Sequence, residues 1–298
     1  MQATWLPNSY QSTSEKEIYD LMSSLNKEGV RRVYVDVWNQ GTVYFSSDTM
    51  RTLVGDSGVG DDHLAWTLKA GNSLGMEVYA WFEYGLMPSY GSINNDFARV
   101  AESKGWVLGQ HSGFYWLDPA NPDCVAFLGG IMNDAITTYA SQGLKGVQLD
   151  DHFATPTELG RTAADMDNAM STIRSMLPST SQLSLSPSTL SFSISTYNVD
   201  WNKWGKLNYF DEVIPQLYRT TFDSFKTEFD LTISLVNDET RSKWTASGVR
   251  VDGSGDSTPW ADVNDMISYC NANGMGAAVW YARGIIETYP SNFQSIWA

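Results

Sequence analysis

Cysteine and positive charge are scarce in this sequence of 298 residues. The two cysteines, Cys124 and Cys270, have no spacing typical of a metal site, and we expect two buried free thiols rather than a disulfide. The 19 Lys and Arg residues stand against 34 Asp and Glu residues, which gives a net charge of −15. Because phosphate backbones and anionic lipids repel such a chain, we expect no nucleic acid and no membrane surface as its partner.

Long apolar runs and targeting signals are also missing. No run of about 18 apolar residues occurs, so we expect no membrane insertion. No basic segment followed by an apolar stretch opens the sequence, so we expect no signal peptide in it. No Asn-x-Ser/Thr acceptor is present, which leaves N-glycosylation without a site. The sequence gives no indication of the oligomeric state.

Aromatic side chains, by contrast, are abundant, with 12 Trp and 15 Tyr residues. Such rings fill cores or stack on flat ligand faces, and the C–H faces of sugars are of this kind. With 42% hydrophobic residues the chain can bury a large core. No Pro/Gly-rich linker and no fixed repeat divides it, so we predict a single domain over residues 1–298.

Short β-branched runs alternate with helical patterns along the chain, which is typical of parallel α/β folds. Eight such runs favour a (β/α)8 TIM barrel, and the lack of Gly-x-Gly-x-x-Gly after the first run counts against a dinucleotide fold. The predicted strands are residues 3–6, 32–37, 77–82, 146–150, 182–186, 212–217, 244–249 and 276–280. The predicted helices are residues 14–28, 62–74, 122–141, 162–176, 222–235 and 260–273.

Two connections need separate interpretation. Residues 83–145, between the third and fourth predicted strands, are too many for a plain crossover, so we predict a long inserted loop that builds a substrate cleft. Within it, Asp118 either binds substrate or caps the helix that begins near Pro122. Residues 181–195 carry Ser at almost every second position, and we predict a strand followed by a loop.

Function in a barrel collects at the carboxyl ends of the strands, and here those ends carry acids, amides and aromatic rings. Paired carboxylates are what glycosidic cleavage requires, and the predicted catalytic residues are Asp150, Asp151 and Glu83. The alternative to a catalytic role for the Asp-Asp-His run is a structural one, as a helix cap or a salt-bridge network. The alternative to substrate binding for each Trp is packing in the barrel. The predicted substrate-binding residues are Trp38, Asn39, Trp81, Tyr84, Asp118, His152, Gln216, Tyr218, Trp280 and Arg283.

A metal centre is a competing chemistry for this run, because Asp150, Asp151 and His152 are all possible ligands. Three consecutive residues rarely converge on one ion, so we expect no metal, and no cofactor motif is present. A serine nucleophile is not expected either, since no Gly-x-Ser-x-Gly elbow occurs.

Four sequence blocks resemble the bacterial glycosyl hydrolase-like family 10 in order and spacing, closely over residues 3 to about 155 and more loosely beyond. They are residues 36–41, 77–85, 116–122 and 146–152. The resemblance implies a (β/α)8 barrel, an extracellular or cell-envelope location, and glycosidase activity. In one division-associated member that activity is directed at denuded peptidoglycan glycan strands.

The functional hypothesis is therefore a glycoside hydrolase acting on a polysaccharide or glycan strand, with peptidoglycan as one candidate substrate. The alternative is a catalytically silent barrel that binds carbohydrate through its aromatic rim. Within the first hypothesis, either Asp150 is nucleophile or base with Glu83 as the acid, or Asp150 and Asp151 support attack by a substrate 2-acetamido group. We expect a raised pKa for at least one of these acids, and partial exposure of Trp38 and Trp280 at the pocket.

Overall fold

The computed structural model describes residues 1–8, 14–253 and 255–297, and a parallel sheet runs through these residues. Each of its strands except β6 ends within one residue of the predicted boundary. The strands are β1 Gln2–Leu6, β2 Arg32–Asp36, β3 Glu77–Phe82, β4 Leu144–Asp150, β5 Gln182–Ser186, β6 Glu212–Val213, β7 Ala246–Arg250 and β8 Gly276–Trp280.

The order of the strands around the sheet is β6-β5-β4-β3-β2-β1-β8-β7, and every pairing is parallel. Isolated bridges from Val213 to Trp244 and from Gln216 to Gly248 join the two outer strands. The sheet is thereby nearly closed into a barrel with helices between its strands. The predicted α/β TIM-barrel fold is confirmed.

Helices follow most strands, and most of them begin at a side chain that accepts a backbone N–H group, such as Ser14 at the start of α1. Thr162 and Asp165 form a reciprocal capping box at the start of α6. The helices are α1 Glu15–Lys27, α2 Asp48–Val54, α3 His63–Leu74, α4 Asp96–Ser103, α5 Pro122–Tyr139, α6 Ala163–Met176, α7 Leu190–Tyr197, α8 Trp201–Lys206, α9 Phe222–Leu235, α10 Asp238–Ser242, α11 Trp260–Ala272 and α12 Asn292–Ile296. Among the described residues, none of these helices has the length and apolar character needed to cross a bilayer.

The barrel interior is filled by aromatic rings. Trp5 is fully buried at the centre, and its ring lies 6.5 Å from that of Trp81, 6.1 Å from Trp280 and 6.4 Å from Tyr218. Its indole N–H donates to Gln148 at 2.7 Å, which satisfies the one polar atom of the ring. This packed interior lies directly beneath the side chains at the carboxyl ends of the strands.

The opposite, amino-terminal end of the barrel is closed by a buried ionic network. Glu212 accepts hydrogen bonds from Arg32 at 2.7 Å and from Tyr34, Ser184 and Thr245 at 2.9 Å each. Because every carboxylate oxygen has partners, this buried charge is compensated. The network holds strands β2, β5 and β6 together away from the candidate site.

The connection between β3 and β4 contains regular structure rather than an irregular loop. After β3, strands Ser89–Tyr90, Val107–His111 and Phe114–Leu117 form a small antiparallel sheet, with helix α4 inserted between the first two. Helix α5 then crosses back to β4. In the same way, a short hairpin of Trp38–Asn39 and Thr42–Val43 follows β2.

Two predicted elements are corrected. Residues after Pro187 form helix α7, and its buried positions Leu190 and Ser193 have the three-residue spacing of a helix face. Strand β6 ends at Val213, earlier than predicted, because Pro215 has no N–H to donate to the sheet. Both cysteines are buried and free, which agrees with the preferred interpretation.

Candidate active site

The candidate active site lies at the carboxyl ends of the barrel strands, where parallel strands bring distant residues together. Asp36 and Asp150 are the last residues of β2 and β4, and Glu83 directly follows β3. Gln216 follows β6, and Trp280 is the last residue of β8. The predicted acids, the amide and one predicted aromatic residue therefore stand at one end of the barrel.

Asp36 and Glu83 form the first carboxyl pair. Asp36 is fully buried and accepts the Trp38 backbone N–H at 3.1 Å and the Asn39 amide at 2.8 Å. The same Asn39 amide donates to Glu83 at 3.1 Å. Burial raises the pKa of Asp36 well above its usual range, as do the charge of Glu83 and the hydrogen bond between the two carboxyls.

The pKa of Glu83 is raised too, mainly by burial, whereas its hydrogen bond with Asp36 lowers it. The two acids titrate as a pair, and Asp36 holds the shared proton more tightly. In this arrangement, Glu83 ionises first and its carboxylate accepts hydrogen bonds from Asp36 and Asn39.

Asp150 and Asp151 form the second carboxyl pair. Asp150 is buried, and its Oδ1 accepts the Gln216 side-chain amide at 2.8 Å. Burial raises the pKa of Asp150 well above its usual range, and the charge of Asp151 and a hydrogen bond with it act in the same direction. Asp151 is more exposed, and its Oδ2 accepts the Ser188 hydroxyl at 2.6 Å. The raised pKa expected among the predicted acids is thus found for Asp150 and for Glu83.

His152 lies between the two pairs. Its Nδ1 is 2.9 Å from the main-chain carbonyl oxygen of Glu83 and 3.3 Å from Oδ2 of Asp150. Because a carbonyl oxygen only accepts, Nδ1 must carry the proton of this hydrogen bond. The Nε2 atom is 3.7 Å from Oδ1 of Asp151. The ring therefore fixes the loop after β3 against the loop after β4.

A glycine allows these loops to approach so closely. Gly85 has φ +46°, and a Cβ added there would lie 2.4 Å from the backbone nitrogen of Phe153. Only a residue without a side chain fits this contact, so Gly85 helps to set the spacing between the carboxyl pairs.

A pocket with a volume of about 330 Å³ opens beside the first carboxyl pair, within the size range of small-ligand sites. Glu83 is the predicted acid that lines it. The other lining residues are Pro7, Asn8, Asn39, Gln40, Tyr84, Trp280 and Tyr281. Asp150 and Asp151 border a much smaller cavity, of about 10 Å³, together with Ser188 and Tyr197.

Trp280 and Tyr218 provide an aromatic wall. Their rings are stacked at 5.9 Å, and both are partly exposed, so Trp280 has the exposure that the sequence predicted. Burial raises the pKa of Tyr218 well above its usual range, and the charges of Asp150 and Asp151 raise it further. The phenol is therefore a neutral hydroxyl among acids. A cis peptide joins Trp280 to Tyr281.

Two predicted substrate-binding tryptophans are buried. Trp38 is fully buried, donates to the Gly85 carbonyl at 3.0 Å, and packs on Phe97 and Phe127, so the predicted exposure of this residue is wrong. The hairpin after β2 turns its indole inward. Trp81 is buried in the barrel; its indole N–H has no well-aligned hydrogen bond among the described residues, although its proximity lowers the pKa of Asp150.

Two predicted polar ligands lie elsewhere. Both carboxylate oxygens of Asp118 bind Arg161, at 2.8 and 2.6 Å, and the cap of α5 is Asn121 rather than Asp118. Arg283 is exposed, does not line the 330 Å³ pocket, and lies 3.5 Å from Glu287. The carboxylate of Asp118 is paired with Arg161, and Arg283 lies outside the pocket. We therefore assign neither residue to substrate binding.

Sequence reasoning did not include Asp36, Tyr281 or Ser188 among the site residues. Asp36 had a usable signal, because it lies one residue before the end of a predicted strand, close to the position that Asp150 has at the end of another. Tyr281 directly follows Trp280 and shares its pocket. Ser188 had no signal, since its contact with Asp151 depends on how β5 lies beside β4.

One group among the described residues has the geometry to hold a cation. Asp150, Asp151 and His152 each offer a ligand atom, and these atoms lie within 4.8 Å of one another. One oxygen of each carboxylate and Nδ1 of His152 are already engaged with Gln216, Ser188 and the Glu83 carbonyl. No step proposed below uses a metal.

The family model described as "Glycosyl hydrolase-like 10" matches residues 1–170. The chain belongs to this glycosyl hydrolase-like family. The match ends after β4, so it includes both carboxyl pairs and His152 but not Gln216, Tyr218 or Trp280. A search of curated protein sequences finds no match for the chain.

Solved structures similar to this family member are glycosidases and a cortex-lytic enzyme. An α-galactosidase from Lactobacillus brevis has TM-score 0.60 and 12% identity and covers 99% of this chain, which spans 39% of that protein. The Thermus thermophilus α-galactosidase TtGalA, solved with stachyose, has TM-score 0.60 and 12% identity over 100% of this chain and 65% of its own. The Bacillus cereus spore cortex-lytic enzyme SleL has TM-score 0.58 and 10% identity over 98% of this chain and 72% of its own. At these identities the likeness establishes the fold.

Proposed function

We propose that this family member hydrolyses O-glycosidic bonds of a polysaccharide or glycan strand by acid/base catalysis with its two carboxyl pairs. The observation that supports this most is that two acid pairs, each with a buried member, stand at one barrel mouth, where Glu83 of the first pair lines a pocket. Burying acids with raised pKa values is costly for a protein that only binds sugar, because binding uses hydrogen bonds and aromatic faces. The arrangement therefore favours hydrolysis over silent binding.

Glu83 is the carboxylate that supports or attacks the anomeric carbon. It faces the 330 Å³ pocket, and Asp36 and Asn39 donate hydrogen bonds to it, which favours its ionised form. This reverses the role that the sequence suggested for Glu83 as the acid. Asp36 acts only through Glu83 and is a positioning residue.

The second carboxyl pair supplies the proton for the leaving oxygen, and it takes a proton back from the water that adds to the anomeric carbon and completes hydrolysis. The proton that Asp150 retains passes to Asp151, whose side chain is 23% exposed against 5% for Asp150, and from Asp151 to the leaving group. Gln216 and His152 hold Asp150 in place during this transfer. Ser188 keeps Asp151 directed toward its partner.

One observation favours a second assignment of the catalytic roles: Asp150 and Asp151 are adjacent and hydrogen-bonded. In a substrate with a 2-acetamido group, Asp150 would orient that group for attack on the anomeric carbon while Asp151 protonates the leaving oxygen. Glu83 would then have a minor part. Peptidoglycan sugars carry such groups.

The envelope of bacteria is the first place to look for the substrate. The similar SleL is a spore cortex-lytic enzyme, and the family resemblance implies an extracellular or envelope location. TtGalA was solved with the oligosaccharide stachyose, so galactosides belong in the same test.

The test is a glycan panel that includes denuded peptidoglycan strands, N-acetylglucosamine oligomers and stachyose, with products identified by mass spectrometry. Wild type should release shorter glycans, and Glu83→Gln together with Asp151→Asn should abolish release. Glu102→Gln, an exposed acid on α4, is the matched control and should keep full activity. Equal release by wild type and the double variant would contradict the proposal, and so would binding of a glycan without any cleavage.

A further inference from the structure

Three aromatic rings continue outward from the pocket onto the small antiparallel sheet. Tyr84 lines the pocket, and its ring lies 6.2 Å from that of Phe114. The Phe114 ring lies 4.8 Å from that of Tyr90, which is 55% exposed. We call Tyr84, Phe114 and Tyr90 the aromatic strip. It connects the pocket to the protein surface without a gap between rings.

The sheet register explains why the rings align. Tyr90 and Phe114 are direct cross-strand partners, so their side chains share one face of the sheet. The neighbouring position Ser89 is fully buried, which places the opposite face of that strand against the protein. The outward face therefore carries the aromatic residues.

A glycine shapes the outer end of the strip. Gly113, in the turn before Phe114, has φ +84°, and a Cβ there would lie 2.7 Å from the ring of Tyr90. The turn at Gly113 therefore lies close to the Tyr90 ring, which is 55% exposed. A large ring that is half exposed and supported from below is the arrangement that stacks on a flat ligand.

We propose that the aromatic strip is an extended subsite that binds a glycan chain beyond the pocket. This inference rests on the proposed glycoside hydrolase function and adds a binding site to it. The three residues of the strip carry no charge, and their ring centres are 6.2 and 4.8 Å apart in T-shaped contacts, so the exposed ring surface suits the C–H groups of sugars in an uncharged or weakly charged chain. The chain would run from the pocket over Tyr84 and Phe114 to Tyr90.

The experiment compares long and short chains of one glycan. N-acetylglucosamine oligomers or denuded peptidoglycan strands are fractionated by length, whichever the glycan panel shows to be cleaved, and kcat/KM is measured for the disaccharide and the hexasaccharide fractions. Tyr90→Ala and Phe114→Ala should lower the ratio of long-chain to short-chain kcat/KM by about 3- to 10-fold each. Tyr90→Phe keeps the ring and should keep the ratio.

Tyr19→Ala is the matched control, because Tyr19 is 44% exposed on helix α1, away from the mouth, and its loss should leave the ratio unchanged. Thermal unfolding of every variant separates misfolding from lost binding. Calorimetric titration of the Glu83→Gln variant with the same fractions measures chain binding without catalysis, and the Tyr90→Ala change should weaken it for the long fraction.

The outcomes distinguish the two proposals. Cleavage that does not depend on chain length, or a ratio unchanged in both Ala variants, would overturn the extended subsite while the hydrolase stands. Chain binding that depends on Tyr90 without any cleavage would overturn the hydrolase and keep the subsite. If the long fractions are neither bound nor cleaved, both proposals fail.

Discussion

Glu83 and Asp151 are the two acids with access to substrate, and each has a buried partner. The buried partners, Asp36 and Asp150, have pKa values well above their usual range, because burial disfavours their charged forms and the partner's charge adds to the effect. The outer acids can therefore exchange protons with the substrate, while the inner acids keep the outer carboxyl groups in position. This difference assigns separate roles to four carboxyl groups.

Glu83→Gln separates the two possible mechanisms. If Glu83 supports or attacks the anomeric carbon, the substitution should lower kcat by on the order of 10²- to 10⁴-fold, and Asp151→Asn should do the same. If the substrate's acetamido group attacks instead, only Asp151→Asn should have this effect, and a thiazoline that mimics the intermediate should inhibit. Single-turnover rates on a cleaved glycan provide the comparison. Full activity of both variants would mean that the acids are assigned wrongly.

Asp36 tests how Glu83 is kept ionised. Asp36→Ala removes the hydrogen bond that lowers the pKa of Glu83, so the pKa should rise and the acid limb of the rate profile should move to higher pH. Asp36→Asn keeps an N–H donor and should leave that limb nearly in place. The pH dependence of kcat/KM gives the answer, and identical limbs in the two variants would rule out a positioning role for Asp36.

At the scale of elements, the loops after β3 and β4 determine the distance between the carboxyl pairs. Gly85 lets them touch, and the His152 ring bonds to the Glu83 carbonyl at 2.9 Å. The pairs belong to different strands, so their geometry depends on this contact more than on either strand alone.

Gly85→Ala should therefore reduce both activity and stability. The added methyl meets the Phe153 backbone, and the positive φ adds strain, for a combined cost of about 1–3 kcal/mol. Gly75→Ala is the control, because Gly75 also has a positive φ but no atom within 4 Å of an added Cβ. The thermal unfolding temperature and kcat should both fall in Gly85→Ala, whereas in Gly75→Ala only the unfolding temperature should fall. Normal kcat in Gly85→Ala would show that the loop contact is not needed.

The sequence was sufficient for most elements and for three of the four acids at the strand ends. Strands β3, β5 and β8 have the predicted bounds, because each is a short apolar run between turn signals. Trp38 could not be predicted to be buried, because the hairpin after β2 decides its direction. Asp118 could not be predicted to bind Arg161, because the two meet only when α6 is placed beside the connection from β3. Side-chain direction after a strand end is a tertiary property.

At the scale of the whole molecule, the site reduces stability at neutral pH. The folded-state pKa of Asp150 is raised above the value of about 3.9 for an unfolded chain, so the folded protein binds more protons than the unfolded one at pH values between these two pKa values. The free energy of unfolding therefore falls as pH rises through the folded-state pKa of Asp150. The stabilisation is fully present only below the unfolded pKa.

Asp150→Asn should then stabilise the fold while it lowers activity. An Asn amide can accept from Gln216 and donate to Asp151 as the protonated acid does, without the cost of ionisation. We expect a gain of about 0.5–2 kcal/mol at roughly pH 8 and a smaller one at roughly pH 5. Chemical denaturation at both pH values measures it, with Glu102→Gln as control. Loss of stability at pH 8 would contradict the raised pKa of Asp150.

The pH dependence of kcat/KM on a cleaved glycan tests the central claim of two proton-sharing acid pairs most directly. The rate should fall at low pH as Glu83 takes up a proton, and at high pH as Asp150 loses the proton that it supplies through Asp151. Asp151→Asn should remove the high-pH limb and leave a low, nearly pH-independent rate above the Glu83 limb. A bell-shaped wild-type profile with that limb missing in Asp151→Asn is the result we predict. A flat wild-type profile from roughly pH 4 to 8, where these acids should titrate, would contradict the account.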